Sequence, residues 1–434
     1  MRRRISALLL VTLTVGCGAA SPEARRARGE MRDALGAGDA RKAVSLYESW
    51  RAERGEDDPA ALRLLARTTL WQALRAQASA IQTAAIQAIE RLEIEELAPD
   101  VAELVAADDD VVAAAAAAAL LTAHPQAPRV IVDLLRSDNP EARAIAVDGI
   151  GRKAGEHARG DLVPMLNDPD PRVRREAVGA VARFADDGEL ERLAAMAKAD
   201  KDGSVRARAL RGIASRHAGG HVELARGAAA DPFLGARFAA VDLLARDGSP
   251  EALAALDQLA AGKDLPIALA SAAARLRAGD DPAAAGVFDR ALAAADWTAR
   301  AAALNSASAM PRPLALRFGG RGLVDRNDEV RLAAARLLIH LGVTTQARKQ
   351  LEAALASKDP AIRIDAAVDL LRLGDPRASR TLDQLARDPV LEVRRAAVGA
   401  HASARRVTPG LVAALADADP ALRVQASELI LELL

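Results

Sequence analysis

The sequence predicts an all-α protein, an α-solenoid (superhelix) of about twelve two-helix units behind a helical N-terminal cap. Three observations predict it. Of the 434 residues 51% are apolar but only 2% aromatic, and much of the apolar share is alanine. Alanine is the strongest helix former, whereas strand-rich cores draw on Val, Ile and aromatics. An arginine recurs in phase at Arg143, Arg174, Arg206, Arg237, Arg300, Arg331, Arg363, Arg394 and Arg423. The steps are 31, 32 or 31 residues, with one double step of 63 where Ala270 takes the place and a last step of 29. Prolines punctuate the same register just ahead of the arginines, at Pro140, Pro171, Pro360 and Pro420.

At the N-terminus, residues 1–17 read MRRRISALLLVTLTVGC: three arginines, an apolar run from Ile5 to Val15, then Gly16 and Cys17. A basic start and a short apolar stretch describe an export signal, too short for a stable membrane anchor. The segment resembles a bacterial lipoprotein signal, which implies lipidation of Cys17 and membrane tethering in the cell envelope, facing the periplasm or the exterior. Thr14 departs from that pattern, which has a large aliphatic residue there. The alternative is an ordinary cleaved signal cut near GAAS. Cys17 is the single cysteine, so no intrachain disulfide or cysteine-based metal cage can form. Residues 18–28, small and charged, predict a flexible tether.

Residues 29–68 predict the cap. Gly38, Ala43 and Tyr47 look like part of a tetratricopeptide helix pair, but a plain helical cap over the first repeat's open core explains the segment equally. The array then runs over 69–434. Its clearest unit places Leu162, Met165 and Leu166 on a first helix and Val173, Ala177, Val178 and Val181 on the buried stripe of a second. Between them Asp170 can cap the free N–H groups of the second helix, and Pro171 fits its first turn. Ala113 and Gln82 hold the arginine's phase in the two weakest units. The recurring D-P-x-V/I/L-R-x-x-A core resembles short HEAT-like repeats of the phycobilisome-lyase type. The resemblance implies a scaffold in most such proteins and an enzyme or enzyme-maturation factor, lyase-type or glycosylase-type, in a minority.

The charges sort into two columns. Lys plus Arg equals Asp plus Glu, 59 each, so no global charge draws the chain to nucleic acid. An aspartate stands six residues before the arginine in Asp168/Arg174, Asp200/Arg206, Asp231/Arg237, Asp325/Arg331, Asp388/Arg394 and Asp417/Arg423. Six copies argue against a single catalytic site. In HEAT-like arrays such residues form a structural ladder between units, which is the role the resemblance implies here. Nine residues after the phase arginine come Arg152, Arg183, Arg246, His340 and Arg372. As cations near helix C-termini they complement the helix dipole. Read functionally, they are a broken basic stripe for a partner, interrupted at Ser215, Ser403 and Glu432.

Nothing in the chain marks catalysis or a cofactor. His217 and His221 have metal-ligand spacing, but AGG between them breaks a helix and no third ligand is near. Some HEAT-like hydroxylases bind iron through His-Glu dipeptides, and no such dipeptide occurs. Phosphate-binding loops and nucleophile elbows are missing too. Asp296 beside Trp297 is the one acid–aromatic neighbourhood in reach of a pocket chemistry. The last helix, LRVQASELILELL, ends leucine-rich and predicts an uncovered edge, either a bare terminus or a docking surface at Leu431 and Leu434. The expectation is an exported, lipid-tethered scaffold without catalysis or cofactor, binding a partner protein or peptide along the solenoid. Export speaks against the lyase-type and glycosylase-type alternative.

Overall fold

The computed structural model describes residues 22–216, 219–279 and 282–434, so Cys17 and His217 lie outside the described residues. Among the described residues the secondary structure is helical, and the fold is an α-solenoid of stacked helix pairs. Two compact units divide it: Ala113–Asp375, and the residues up to Val112 together with Pro376–Leu434.

In the unit Ala113–Asp375 the second helices of successive repeats are Pro140–Lys153, Pro171–Val181, Gly203–Arg216, Leu234–Asp247, Leu265–Ala278, Trp297–Ser306, Asp328–His340 and Pro360–Arg372. Each packs on the next along the array. The starts are made by side-chain caps: Asn139, Asp170, Asp264, Asp296, Asn327 and Asp359 each accept a backbone N–H of the first turn. A cap of this kind stabilises a helix by about 1 kcal/mol. Pro140, Pro171 and Pro360 open their helices, where a missing N–H costs nothing. The sequence stripe is the core: Val173, Ala177, Val178 and Val181 are fully buried. Alanine on the packing faces keeps the helices close, which is why so long an array needs few aromatics.

The other unit joins the first helices, Pro22–Gly36, Ala40–Arg54, Pro59–Ala73 and Ser79–Arg91, to the last, Ser379–Leu385, Leu391–Ala400, Pro409–Ala414 and Pro420–Glu432. Two expectations change here. The stretch 18–28 is a helix from Pro22 on rather than a tether. Ala24 is buried, and Arg28 makes a two-pronged bond to Asp58, 2.6 and 2.8 Å. Its alanines and arginines are good helix formers, and the long-range pair to Asp58 is invisible to local composition.

The last helix is also not an open edge. Pro420–Glu432 packs on Pro59–Ala73 and on Ser79–Arg91. Arg63 donates to the Leu434 carbonyl at 2.7 Å, and Arg91 pairs with Glu428. Leu422 and Ile430 are fully buried, and Leu431 and Leu434 are half-buried. The leucine-rich face therefore has a cover from within the chain. Its cover lies 371 residues earlier in the case of Arg63, so a reading of the terminal repeat alone leaves the face bare.

Candidate interaction surface

The two arginine columns take up different positions. Five of the nine phase arginines, Arg143, Arg174, Arg206, Arg300 and Arg394, bind a carboxylate of the next repeat and a carbonyl of their own turn. Arg174 sends Nε and Nη2 to the Asp200 carboxylate, both 2.8 Å, and Nη1 to the Asp168 carbonyl at 2.9 Å. Arg143–Asp168, Arg206–Asp231, Arg300–Asp325 and Arg394–Asp417 are arranged likewise, at 2.6–2.8 Å. The D-x5-R residues other than Asp231 and Arg237 thus meet through the aspartate's backbone carbonyl, and the carboxylates of Asp168, Asp200, Asp231, Asp325 and Asp417 serve the arginine one repeat earlier. Such a carboxylate also accepts the N–H two residues on, as Asp168 does from Asp170 and Asp417 from Asp419, both 2.8 Å. One side chain so shapes the turn and binds the neighbour.

The electrostatics follow. The bond to Asp200 holds the Arg174 guanidinium above its usual value, and the bond from Arg206 holds the Asp231 carboxyl below its own. Four members deviate. Arg237 reaches the Asp264 carboxylate through Nη1 alone, at 2.7 Å, and its buried Nε has no partner. Arg363 bonds the Ser357 and Lys358 carbonyls, at 2.8 and 3.2 Å. Arg331 pairs with Asp328 and reaches the Asp325 carbonyl at 2.7 Å, since Ser357 stands where the next aspartate would. Arg423 bonds the Asp417 and Ala418 carbonyls, at 2.8 and 3.3 Å. The Asp388 carboxylate accepts from Val390 N, and its carbonyl from Arg394.

The second column is exposed throughout. Arg152, Arg183, Arg246, His340 and Arg372 all face solvent at or just past helix ends. Arg152 bonds Asp148 at 2.8 Å one turn back, and Arg372 approaches Asp369 at 3.6 Å. Arg183 and Arg246 meet no carboxylate among the described residues.

Two further arginines on this face escaped the phase argument. Arg208, half-buried, and Arg211, exposed, lie two and five residues after Arg206 on Gly203–Arg216, and neither has a side-chain partner among the described residues. Arg208 lies flat over Gly179 of the preceding second helix. A Cβ on that glycine would come within 2.8 Å of Nε and 2.9 Å of Cζ. One helix earlier Arg183 leans over Gly151, whose Cβ would lie 3.3 Å from Nη1. A helical glycine costs about 1 kcal/mol relative to alanine, so an arginine resting on one without an internal bond is a local rule broken.

Two buried charged clusters elsewhere are bonded internally. Arg336 bonds Asp365 at 2.9 Å and Asp369 at 2.5 Å, and burial pushes the Asp369 carboxyl up despite the guanidinium. In the other unit, fully buried His401 bonds Asp383 at 3.1 Å and the Ala397 carbonyl at 2.7 Å. Asp383 also accepts from Thr408 Oγ1 and Gly410 N, both 2.7 Å. Burial raises its carboxyl, and those bonds outweigh burial and bring it below the usual range. The cluster is sealed and ties helices together. Asp296 caps its own helix through Thr298 N at 3.0 Å, while Trp297 stands beside it 42% exposed, so the pair forms no enclosed chemistry. Among the described residues no group of three His, Cys, Asp or Glu side chains converges.

A family model described as HEAT repeats matches residues 128–214 and 321–404. Among solved structures the chain is similar to Kap121p bound to Ste12p, at 13% identity and a TM-score of 0.40, over 92% of this chain and 50% of that one. It thus spans about half the length of that karyopherin. Human deoxyhypusine hydroxylase in complex with glycerol aligns at 19% identity and a TM-score of 0.28, over 59% of this chain and 98% of that one. An engineered protein aligns at 19% identity and 0.25, over 86% and 98%. No curated protein matches. The two matched stretches carry HEAT repeats, and they belong to an α-solenoid.

Proposed function

We propose that the protein is an exported, lipid-tethered scaffold that holds a partner protein or peptide along the exposed face of its second helices, and that it performs no catalysis. The observation carrying this reading is the division among arginines. Most of those between repeats are bonded to a carboxylate and to turn carbonyls, whereas Arg183, Arg208, Arg211 and Arg246 have no carboxylate spent on them. A guanidinium offers five donors in a rigid fork, so four unspent forks on neighbouring helices are a large recognition capacity. The export and tethering parts rest on the Arg-rich, apolar and Gly16–Cys17 sequence.

The test uses the full chain in its native membranes. Arg183→Glu with Arg246→Glu should remove partners that cross-link to the wild type, without lowering the melting temperature. Unaltered cross-linking would overturn the scaffold face. Separately, Cys17→Ser should release the mature protein from membranes or leave the precursor uncleaved. An unchanged mass and membrane fraction would rule out lipidation.

A further inference from the structure

The helix Pro22–Gly36 shortens the link between Cys17 and the folded chain to residues 18–21. Fully extended, the steps from Cys17 to Pro22 span at most about 18 Å, against about 43 Å for a tether running through residue 28. Resting on the lipid-tethering reading, we propose that the outer flank of this helix is a membrane contact. Arg25 and Arg32 lie there against the anionic headgroups of the lipid layer that holds Cys17. The helix is fixed to the folded chain, so it carries that contact to its neighbours. Ala24, Met31, Ala34 and Leu35 are buried, and the helix packs on Ala40–Arg54 and Pro59–Ala73. Arg28 holds Asp58 with two prongs, at 2.6 and 2.8 Å, and Glu23 pairs with Arg54.

The charges of the helix divide unevenly. Arg26 bonds Glu30 at 3.1 Å, Arg28 is spent on Asp58, and Glu23 on Arg54. What remains is Arg25, Arg32 and Asp33. Both arginines are exposed and have no side-chain partner among the described residues. Seven residues make nearly two helical turns, so Arg25 and Arg32 project from one flank about 10 Å apart along the axis. Asp33 points about 100° away round the helix. Gly29 and Gly36 lie on the arginine flank, and a Cβ on either would meet nothing within 4 Å. Those bare positions let the helix backbone come close to a surface. The covalent link favours a membrane over a protein segment as the occupant, since it brings this flank to the headgroups wherever Cys17 sits. A short link acts as a local concentration in the millimolar range, so little intrinsic affinity is needed. Each arginine near an anionic surface adds about fivefold in binding.

The test uses the lipidated mature chain in vesicles of phosphatidylcholine with or without phosphatidylglycerol. Cys17 is the single cysteine, so Gly29→Cys supplies one free thiol for a fluorophore on the flank. A nitroxide-headgroup lipid should quench that label in the phosphatidylglycerol vesicles, and salt at about 0.5 M should relieve the quenching. Arg25→Gln/Arg32→Gln should lower the contacting fraction several-fold, with an unchanged melting temperature as the folding control. Equal quenching in the variants or in neutral vesicles would overturn the proposal. An unquenched label on a chain that stays lipidated and membrane-bound would also overturn it, and would leave the tethering intact. Capture of a protein by a photo-cross-linker at position 29, with the label unquenched, would give the flank to a protein partner instead. A mature mass without lipid would overturn the tethering reading, and this one with it.

Discussion

Arg174 and Arg208 are the same amino acid on adjacent helices, and their surroundings assign them opposite work. Arg174 is about one-seventh exposed and bonded to a carboxylate and two carbonyls, at 2.8–3.0 Å. Removing it leaves the Asp200 carboxylate and the carbonyls of the turn without donors. Arg174→Ala should therefore cost ~1–3 kcal/mol, read by chemical denaturation, with partner binding retained. Unchanged stability with lost binding would reverse the two roles. Gly179 offers the converse experiment. Alanine there gains helix propensity, roughly 1 kcal/mol, and the atom in its way is the free end of a flexible arginine. Gly179→Ala should thus stabilise the fold by about 0.5–1 kcal/mol while lifting Arg208 and weakening partner cross-linking. At Gly410 the same change should destabilise, because its Cβ would meet the Asp383 backbone Cα at 2.6 Å. The phase of Arg174 was legible in the sequence through its recurrence. The free state of Arg208 was not, since spacing places a residue on a face but does not show whether its donors are taken.

The ladder belongs to the interface between two elements rather than to either repeat. Where Ala270 replaces the phase arginine, Ala294 stands at the aspartate position of the next unit. Ala113 and Ser137 are lost together in the same way. The unit of Ala270 still keeps Asp264, which Arg237 needs, bonded at 2.7 Å. This pairing across repeats explains why the intra-repeat D-x5-R spacing recurs although the two side chains do not bond each other. It also sets a pH dependence. Bonds from Arg206 and Arg300 hold the Asp231 and Asp325 carboxyls below the usual carboxylate value of about 3.9. A depressed folded value gives stability that is present above the unfolded pKa and is lost as pH falls through the folded one. Asp231→Asn should consequently be less stable than wild type at neutral pH, and the two melting temperatures should converge as the pH drops below about 4. A gap that stays constant with pH would show that Asp231 contributes by shape and hydrogen bonding alone. Helix starts were the most readable elements, because Asp170 and Pro171 act within one turn. The helix from Pro22 was not, because its anchor, Arg28 to Asp58, crosses two helices.

At the scale of the whole chain, repeats that contact only neighbours would leave the first and last with a bare face each. In the unit formed by residues 22–112 and 376–434 those faces are used on each other. The helix Pro420–Glu432 meets Pro59–Ala73 and Ser79–Arg91, with Arg63 on the Leu434 carbonyl and Arg91 on Glu428. No local pattern announces this, since periodicity reports which face is apolar and is silent about what covers it. The energetic consequence is that two segments far apart in sequence share one core and should open together. Ile430, fully buried in the last helix, is the point to press. Ile430→Asp puts an unpaired carboxylate into that core, which costs several kcal/mol unless the contact separates. Hydrogen exchange should then rise in Pro59–Ala73 and Ser79–Arg91 as well as in Pro420–Glu432. The second helices between Pro140 and Asp247 should keep their protection, and partner cross-linking should persist. Increased exchange confined to residues 409–434 would mean that the last helix frays alone and that the N-terminal helices hold their fold without it.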